Sequence, residues 1–103
     1  YFLDPDCSIC KPFSMELKKI YNSLKKRGVT VISINSGGNS NEFFEYNRKN
    51  ENPWTALSPR DENYYELFDK FETEQVPMIY LLDNNRRIMA KKINTITLDK
   101  LVK

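Results

Sequence analysis

Two cysteines, Cys7 and Cys10, are the residues of this chain best suited to chemistry. They are the only cysteines among 103 residues. They stand as Cys-x-x-Cys within Asp4-Pro5-Asp6-Cys7-Ser8-Ile9-Cys10, between a short apolar run and a long amphipathic stretch. A sulfur at such a junction has a reason to be reactive. The first turn of a helix presents N–H groups without intrahelical partners and roughly half a positive charge, and both favour thiolate over thiol. A second thiol one turn later is close enough to attack a mixed disulfide formed at the first. Cys7 therefore reads as nucleophile and Cys10 as resolving thiol. A zinc site usually takes four ligands. With no further cysteine and no histidine, a Cys/His zinc site within one chain is excluded, and no metal or other cofactor is expected. A purely structural disulfide is the weaker reading, since closing so short a loop constrains the unfolded chain little. Redox chemistry is the stronger one, provided that a strand leads into the pair and a helix leads out.

The elements around the pair meet that condition. Tyr1-Phe2-Leu3 reads as the last part of a strand. From Ile9 to Arg27, the residues Ile9, Phe13, Leu17, Ile20 and Leu24 recur at helical spacing, and Gly28 stands where a left-handed residue ends a helix. Pro12 cannot donate a backbone hydrogen bond. Either the first turn is irregular, or regular helix begins near Pro12 and the cysteines lie in a turn before it. Lys25-Lys26-Arg27 falls at the helix end, where cations offset the dipole.

Val29–Asn35 is β-branched and mostly apolar, as a strand covered on both faces would be. Ser36-Gly37-Gly38-Asn39 is a loop with no phosphate-binding pattern around it, and Asn39 with Glu42 has the spacing of a capping box. A helix from Ser40 to Asn50 should bury Phe43 and Phe44. After Asn52-Pro53, Trp54–Leu57 is a short extended piece, and a third helix from Asp61 should bury Tyr64, Leu67, Phe68 and Phe71. Val76-Pro77 opens the strand Met78–Asp83. Asn84-Asn85 makes a tight turn, and Arg87–Ile93 returns as the second arm of a hairpin. Thr97 should cap a last helix carrying Leu98, Leu101 and Val102. The compact solution is an α/β domain spanning residues 1–103. It has a four-stranded mixed sheet, with helices on both faces.

Acids and bases are interspersed and the net charge is +2, so no field points to nucleic acid or to an anionic membrane. No apolar run approaches the roughly 20 residues of a membrane span. Because the first residue already lies inside an apolar run, the first strand reads as truncated at its N-terminus and the chain as a fragment of a longer protein. An upstream extension is expected to stabilise it.

Cys-x-x-Cys at the first strand-to-helix junction, with Val76-Pro77 before the third long strand, resembles the thioredoxin fold over nearly the whole chain. Three features are similar to the TlpA/ResA-type thiol–disulfide oxidoreductases: Asp4-Pro5-Asp6-Cys7-Ser8-Ile9-Cys10-Lys11, the Val29–Asn35 strand with its inserted helix and Trp54 segment, and Val76–Asp83. The resemblance implies a sheet order of second, first, third and fourth strand. It implies a cis Val76–Pro77 bond near the cysteines, with Val76 and Pro77 binding substrate backbone. It implies disulfide exchange with protein thiols and disulfides, an upstream redox donor, and a periplasmic or cell-envelope location, where Asp-Pro-x-Cys variants are common in Bacteroidetes.

Departures from that pattern stand at Phe13, where many members carry glutamate, at Met15, where a proline is common, and at Asp6, where an aromatic often precedes the first cysteine. Tyr1 stands where thioredoxin has a buried aspartate, six residues before the first cysteine. No carried-over carboxylate is left to take the Cys10 proton. Asp4, Asp6, Glu16 and water are the open candidates. Two other functions compete. A peroxiredoxin-like peroxidase needs a threonine three residues before its cysteine, where this chain has Asp4. A non-catalytic thioredoxin-like interaction module would keep the fold and leave the disulfide idle. A copper-delivery module is disfavoured by the spacing and by the lack of histidine.

Overall fold

A computed structural model describes residues 1–37, 39–58 and 76–102. The third helix expected from Asp61, with Tyr64, Leu67, Phe68 and Phe71, lies outside the described residues. The described elements are β1 (Phe2–Leu3), α1 (Cys10–Lys26), β2 (Ile32–Asn35), α2 (Ser40–Lys49), β3 (Thr55–Leu57), β4 (Ile79–Leu82), β5 (Ile88–Ile93) and α3 (Thr95–Leu101).

The strands form a parallel sheet in the order β1-β2-β3 and an antiparallel hairpin β4-β5. β1 pairs with β2 as Phe2↔Ile34 and Leu3↔Asn35, and β2 pairs with β3 through Ile32↔Thr55, Ser33↔Ala56 and Ile34↔Leu57. One antiparallel bridge, Phe2↔Met78, joins the two sheets. It carries both of its hydrogen bonds, Phe2 N–H to the Met78 carbonyl at 2.8 Å and Met78 N–H to the Phe2 carbonyl at 3.1 Å. The expectation of one four-stranded sheet is therefore corrected in two ways. Within Trp54–Leu57, read only as a short extended piece outside the four strands, Thr55–Leu57 adds a third parallel strand beyond β2. The link between β1 and the hairpin is a bridge and not a ladder, because β1 is two residues long and runs into Asp4-Pro5.

Alternation along β1 sends Tyr1 and Leu3 to one face and Phe2 to the other. Tyr1 and Leu3 join Leu17 and Leu24 of α1, Phe43 of α2, Trp54, Ile79 and Leu98 of α3 in a single core. All three described helices thus contribute to one core. Phe2 lies outside it, with its ring edge-on to Tyr80 at 5.7 Å.

β2 departs from the expected cover on both faces: its buried positions are Ser33 and Asn35, while Ile32 is exposed. Asn35 is satisfied by donating to Ser58 Oγ at 3.1 Å and accepting from Gly37 N–H at 3.3 Å. The amide thus ties the end of the strand to the loop.

α1 ends as the glycine predicts. Gly28 has φ +84°, and its N–H bonds the Lys25 carbonyl while Val29 N–H bonds that of Leu24, the pattern of a left-handed helix stop. Arg27 does more than offset a dipole. Its guanidinium donates to the carbonyls of Asp99 and Val102 and pairs with the Asp99 carboxylate, fastening α1 to the last turn of α3.

α2 buries Phe43 but leaves Phe44 45% exposed, since adjacent helical residues point about 100° apart. Asn39 caps α2 by accepting from Asn41 N–H at 2.8 Å and Glu42 N–H at 3.3 Å. Replacing Asn39 with alanine should cost about 1 kcal/mol, read as a lower midpoint in urea without a change of slope. Asn94, not Thr97, caps α3, accepting from Thr97 N–H at 2.8 Å. The hairpin turn is also longer than two residues. The Asp83 carboxylate collects the N–H groups of Asn85 and Arg87, and Arg86 takes the left-handed conformation at φ +62°.

Candidate active site

The site is built where two chain segments are zipped together. β1 delivers the chain into Asp4-Pro5-Asp6, and the segment through Val76-Pro77 enters β4. The Phe2–Met78 bridge holds the two side by side. Beyond β1 the chain turns tightly. Asp4 Oδ1 accepts from Asp6 N–H at 2.9 Å, the Asp4 carbonyl accepts from Cys7 N–H at 3.0 Å, and the Cys7 carbonyl accepts from Cys10 N–H at 3.2 Å.

Cys10 is the first residue of α1, and Cys7 lies in the turn before it. This settles the position of Pro12. It falls in the first turn, where a backbone N–H has no intrahelical partner to lose. Ile9, expected on the buried face, is 61% exposed. It precedes the regular helix and points away from the core, beside the cysteines.

Cys7 and Cys10 are joined as a disulfide with Cα atoms 5.3 Å apart. Cys10 is fully buried, whereas Cys7 is half-buried. Cys7 Sγ lies 3.6 Å from the Val76 carbonyl oxygen. In the disulfide that sulfur carries no hydrogen, so the approach is a packing contact; a reduced thiol there has an acceptor to donate to. The Val76–Pro77 peptide bond is cis, and both residues are half-buried. All four residues singled out from the sequence, Cys7, Cys10, Val76 and Pro77, thus come together.

The carboxylates do not gather on Cys10. Asp4 is engaged with the Asp6 backbone, Asp6 is exposed, and Glu16 pairs with Lys19 at the surface at 3.0 Å. Among the described residues no group of three or more histidine, cysteine, aspartate or glutamate side chains is placed to hold a metal ion.

A hydroxyl, not a carboxylate, meets the Cys10 backbone. Tyr1 donates to the Cys10 carbonyl at 3.2 Å, and its oxygen lies 2.5 Å from Ser14 Oγ. Burial pushes the Tyr1 phenol above the usual tyrosine range, and the Ser14 hydroxyl offsets this only in part. The Tyr46 hydroxyl and Trp54 Nε1 are buried close by with no hydrogen-bond partner among the described residues. Burial raises the Tyr46 phenol as well, and the Ser14 hydroxyl nearby opposes the rise. Sequence reasoning missed this pair. The signals were Tyr1 in the place of a buried aspartate and a serine one helical turn after Cys10.

The acidity of reduced Cys7 is set by opposing effects. N–H groups at the head of α1 favour thiolate. Asp6, one residue away and exposed, disfavours it through a screened repulsion. Asp6→Asn should therefore lower the Cys7 pKa by roughly half a unit and make the couple more oxidising. Thiolate absorbance against pH in both proteins checks this; an unchanged or raised pKa in the variant would refute it.

A sequence-family profile described as thioredoxin-like matches residues 1–88. The thioredoxin domain of a thiol-disulfide oxidoreductase from Bacteroides vulgatus superposes with a TM-score of 0.86 at 21% identity, over 99% of this chain and 76% of that one. A thiol:disulfide interchange protein from a Bacteroides species gives 0.83 at 21% identity, over 98% and 69%. StoA from Bacillus subtilis gives 0.74 at 19%, over 97% and 75%. At these identities the likeness speaks for the fold alone. Among curated proteins, probable nucleoredoxin 1 of Arabidopsis thaliana is 24% identical over 91 residues. That match takes in 86% of this chain and spans 15% of the relative's length.

Proposed function

The chain belongs to the thioredoxin-like family, and from that premise we propose that it is a thiol–disulfide oxidoreductase acting on protein disulfides through Cys7 and Cys10. The observation that carries the reading is the asymmetry of the pair. A half-buried Cys7 is bonded to a fully buried Cys10 at the head of α1, with the Val76 carbonyl against the outer sulfur.

In the reduced protein, the Cys7 thiolate attacks one sulfur of a substrate disulfide. A Cys7–substrate bond forms, and the other substrate sulfur leaves as thiolate and takes up a proton. Cys10 then loses its proton, its sulfur bonds Cys7 Sγ, and the second substrate thiolate departs. The net result is a reduced substrate and a Cys7–Cys10 disulfide, which an upstream dithiol must reduce again. The cis Val76–Pro77 segment offers backbone beside Cys7, and we assign Val76 and Pro77 to docking an extended substrate strand. Thioredoxin-like proteins generally need no cofactor, and this scheme invokes none. No described helix is long and apolar enough to cross a membrane. The resemblance of Asp4–Lys11 and Val76–Asp83 to the TlpA/ResA-type oxidoreductases favours a cell-envelope setting.

Insulin reduction driven by dithiothreitol tests the reading. The unchanged protein should speed precipitation of the insulin B chain, and Cys7→Ser should return the rate to that of dithiothreitol alone. Equal rates for the two proteins would sink the proposal. Turnover of hydrogen peroxide instead would favour the peroxidase reading.

A further inference from the structure

We propose that Tyr1 and Ser14 are positioning residues for Cys10, holding it for its attack on the mixed disulfide at Cys7; this rests on the reading of the two cysteines as a redox pair. The head of α1 is poorly secured by its own residues. Its N-cap, Ile9, supplies no side-chain bond, and the first turn carries no acidic residue.

Tyr1 secures this turn from the strand side. It sits on the strand side of the core, wedged between Phe13 and Trp54 with ring centroids at 5.5 and 5.9 Å. From there its hydroxyl reaches the Cys10 carbonyl at 3.2 Å and Ser14 Oγ at 2.5 Å. A phenol has one proton. If Tyr1 gives it to the Cys10 carbonyl, Ser14 makes the other bond with its own, and the two run head to tail from Ser14 to Tyr1 to Cys10. Strand, first turn and second turn are thereby clasped at one buried point. All three residues are buried, so water does not replace a lost bond there.

The clasp matters for one step only. Cys7 attacks from the exposed side of the pair and needs no help from Cys10. Resolution needs Cys10 sulfur aligned with the bond that breaks, and such steps lose rate steeply when the reacting atoms are misplaced.

Oxidised glutathione mixed with the reduced 103-residue chain and quenched rapidly in acid reads both steps by intact mass. Cys7 first gains a glutathione, releasing one glutathione thiolate. Cys10 then gives up a proton to buffer, bonds Cys7, and expels the second glutathione. Tyr1→Phe keeps the ring and removes the hydroxyl; Ser14→Ala removes its partner. In each variant the Cys7–glutathione adduct should last about tenfold longer, with its rate of formation unchanged within twofold. Adduct lifetimes equal to that of the unchanged protein would overturn the proposal. So would equal slowing of both steps, which marks a merely structural role. If Tyr1→Phe fails to fold, Ser14→Ala decides alone. Failure of insulin reduction is a separate outcome, because the glutathione reaction needs no protein substrate.

Discussion

Replacing Cys10 with serine is expected to turn a catalyst into a trap. The nucleophile at Cys7 is untouched, so the first attack on a protein disulfide proceeds. The second step has no internal thiol and waits for one from solution. Intramolecular groups in good geometry act with effective concentrations far above any thiol in a buffer, so turnover should fall by roughly 10²–10³-fold or more. The fold should survive, because the lost disulfide closes only a short loop and serine is slightly smaller than the buried thiol it replaces. The companion variant Cys7→Ser should behave differently. It keeps the fully buried Cys10, which no macromolecular disulfide can reach, and it should form no adduct. Intact mass spectrometry after incubation with oxidised insulin reads both: a persistent mixed disulfide for Cys10→Ser and none for Cys7→Ser. Adducts on both variants in equal amount would contradict the assignment of nucleophile and resolving thiol. Full turnover by Cys10→Ser would do the same.

The placement of the two sulfurs was legible in the sequence because it depends on short-range order. Cys-x-x-Cys between an apolar run and an amphipathic helix leaves few ways to place the two sulfurs, and Gly28 marks the helix end through a backbone conformation that few other residues adopt. The parallel pairing of β1 with β2 follows from the helix between them. What was not legible depends on which partner a short segment finds. Trp54–Leu57 has too little pattern to show that it pairs with β2, and it does so only because β2 offers an edge. Val29–Asn35 reads as covered on both faces, yet Ile32 is exposed and the polar Ser33 and Asn35 are buried, Asn35 being satisfied by a loop residue more than twenty positions away. The cap at Asn94 was missed for a local reason. Both Asn94 and Thr97 are good caps, and spacing alone does not say which of them starts the helix. Tyr1 is the instructive case. Its ring reads as core, and it is core. Its hydroxyl finds the Cys10 carbonyl and Ser14 only once strand and helix are packed together.

The same residue carries the second large effect, through its amine. In a polypeptide that begins at Tyr1, the terminal nitrogen donates to the Ile32 carbonyl at 2.9 Å. Burial pushes its pKa down from 8.0 to about 5. The unfolded chain leaves that amine in water at its ordinary value. Between the two values the unfolded state binds a proton that the folded state does not, so stability must rise with pH across this interval. The penalty is absent above pH 8, grows as pH falls through the interval, and is complete below pH 5. Three pKa units correspond to about 4 kcal/mol, which for a domain of this size is a change in melting temperature of roughly 15 °C or more. The window is unusually clean. The chain has no histidine, and in the oxidised protein neither cysteine titrates. Melting curves of the oxidised protein from pH 5 to 8 should therefore climb steeply and then level off. Acetylating the amine replaces it with an amide, which can donate the same hydrogen bond and has no charge to desolvate. The acetylated protein should melt near the high-pH limit throughout and lose most of the slope. A flat profile for the free amine, or the same slope after acetylation, would show that this group is not what couples folding to pH.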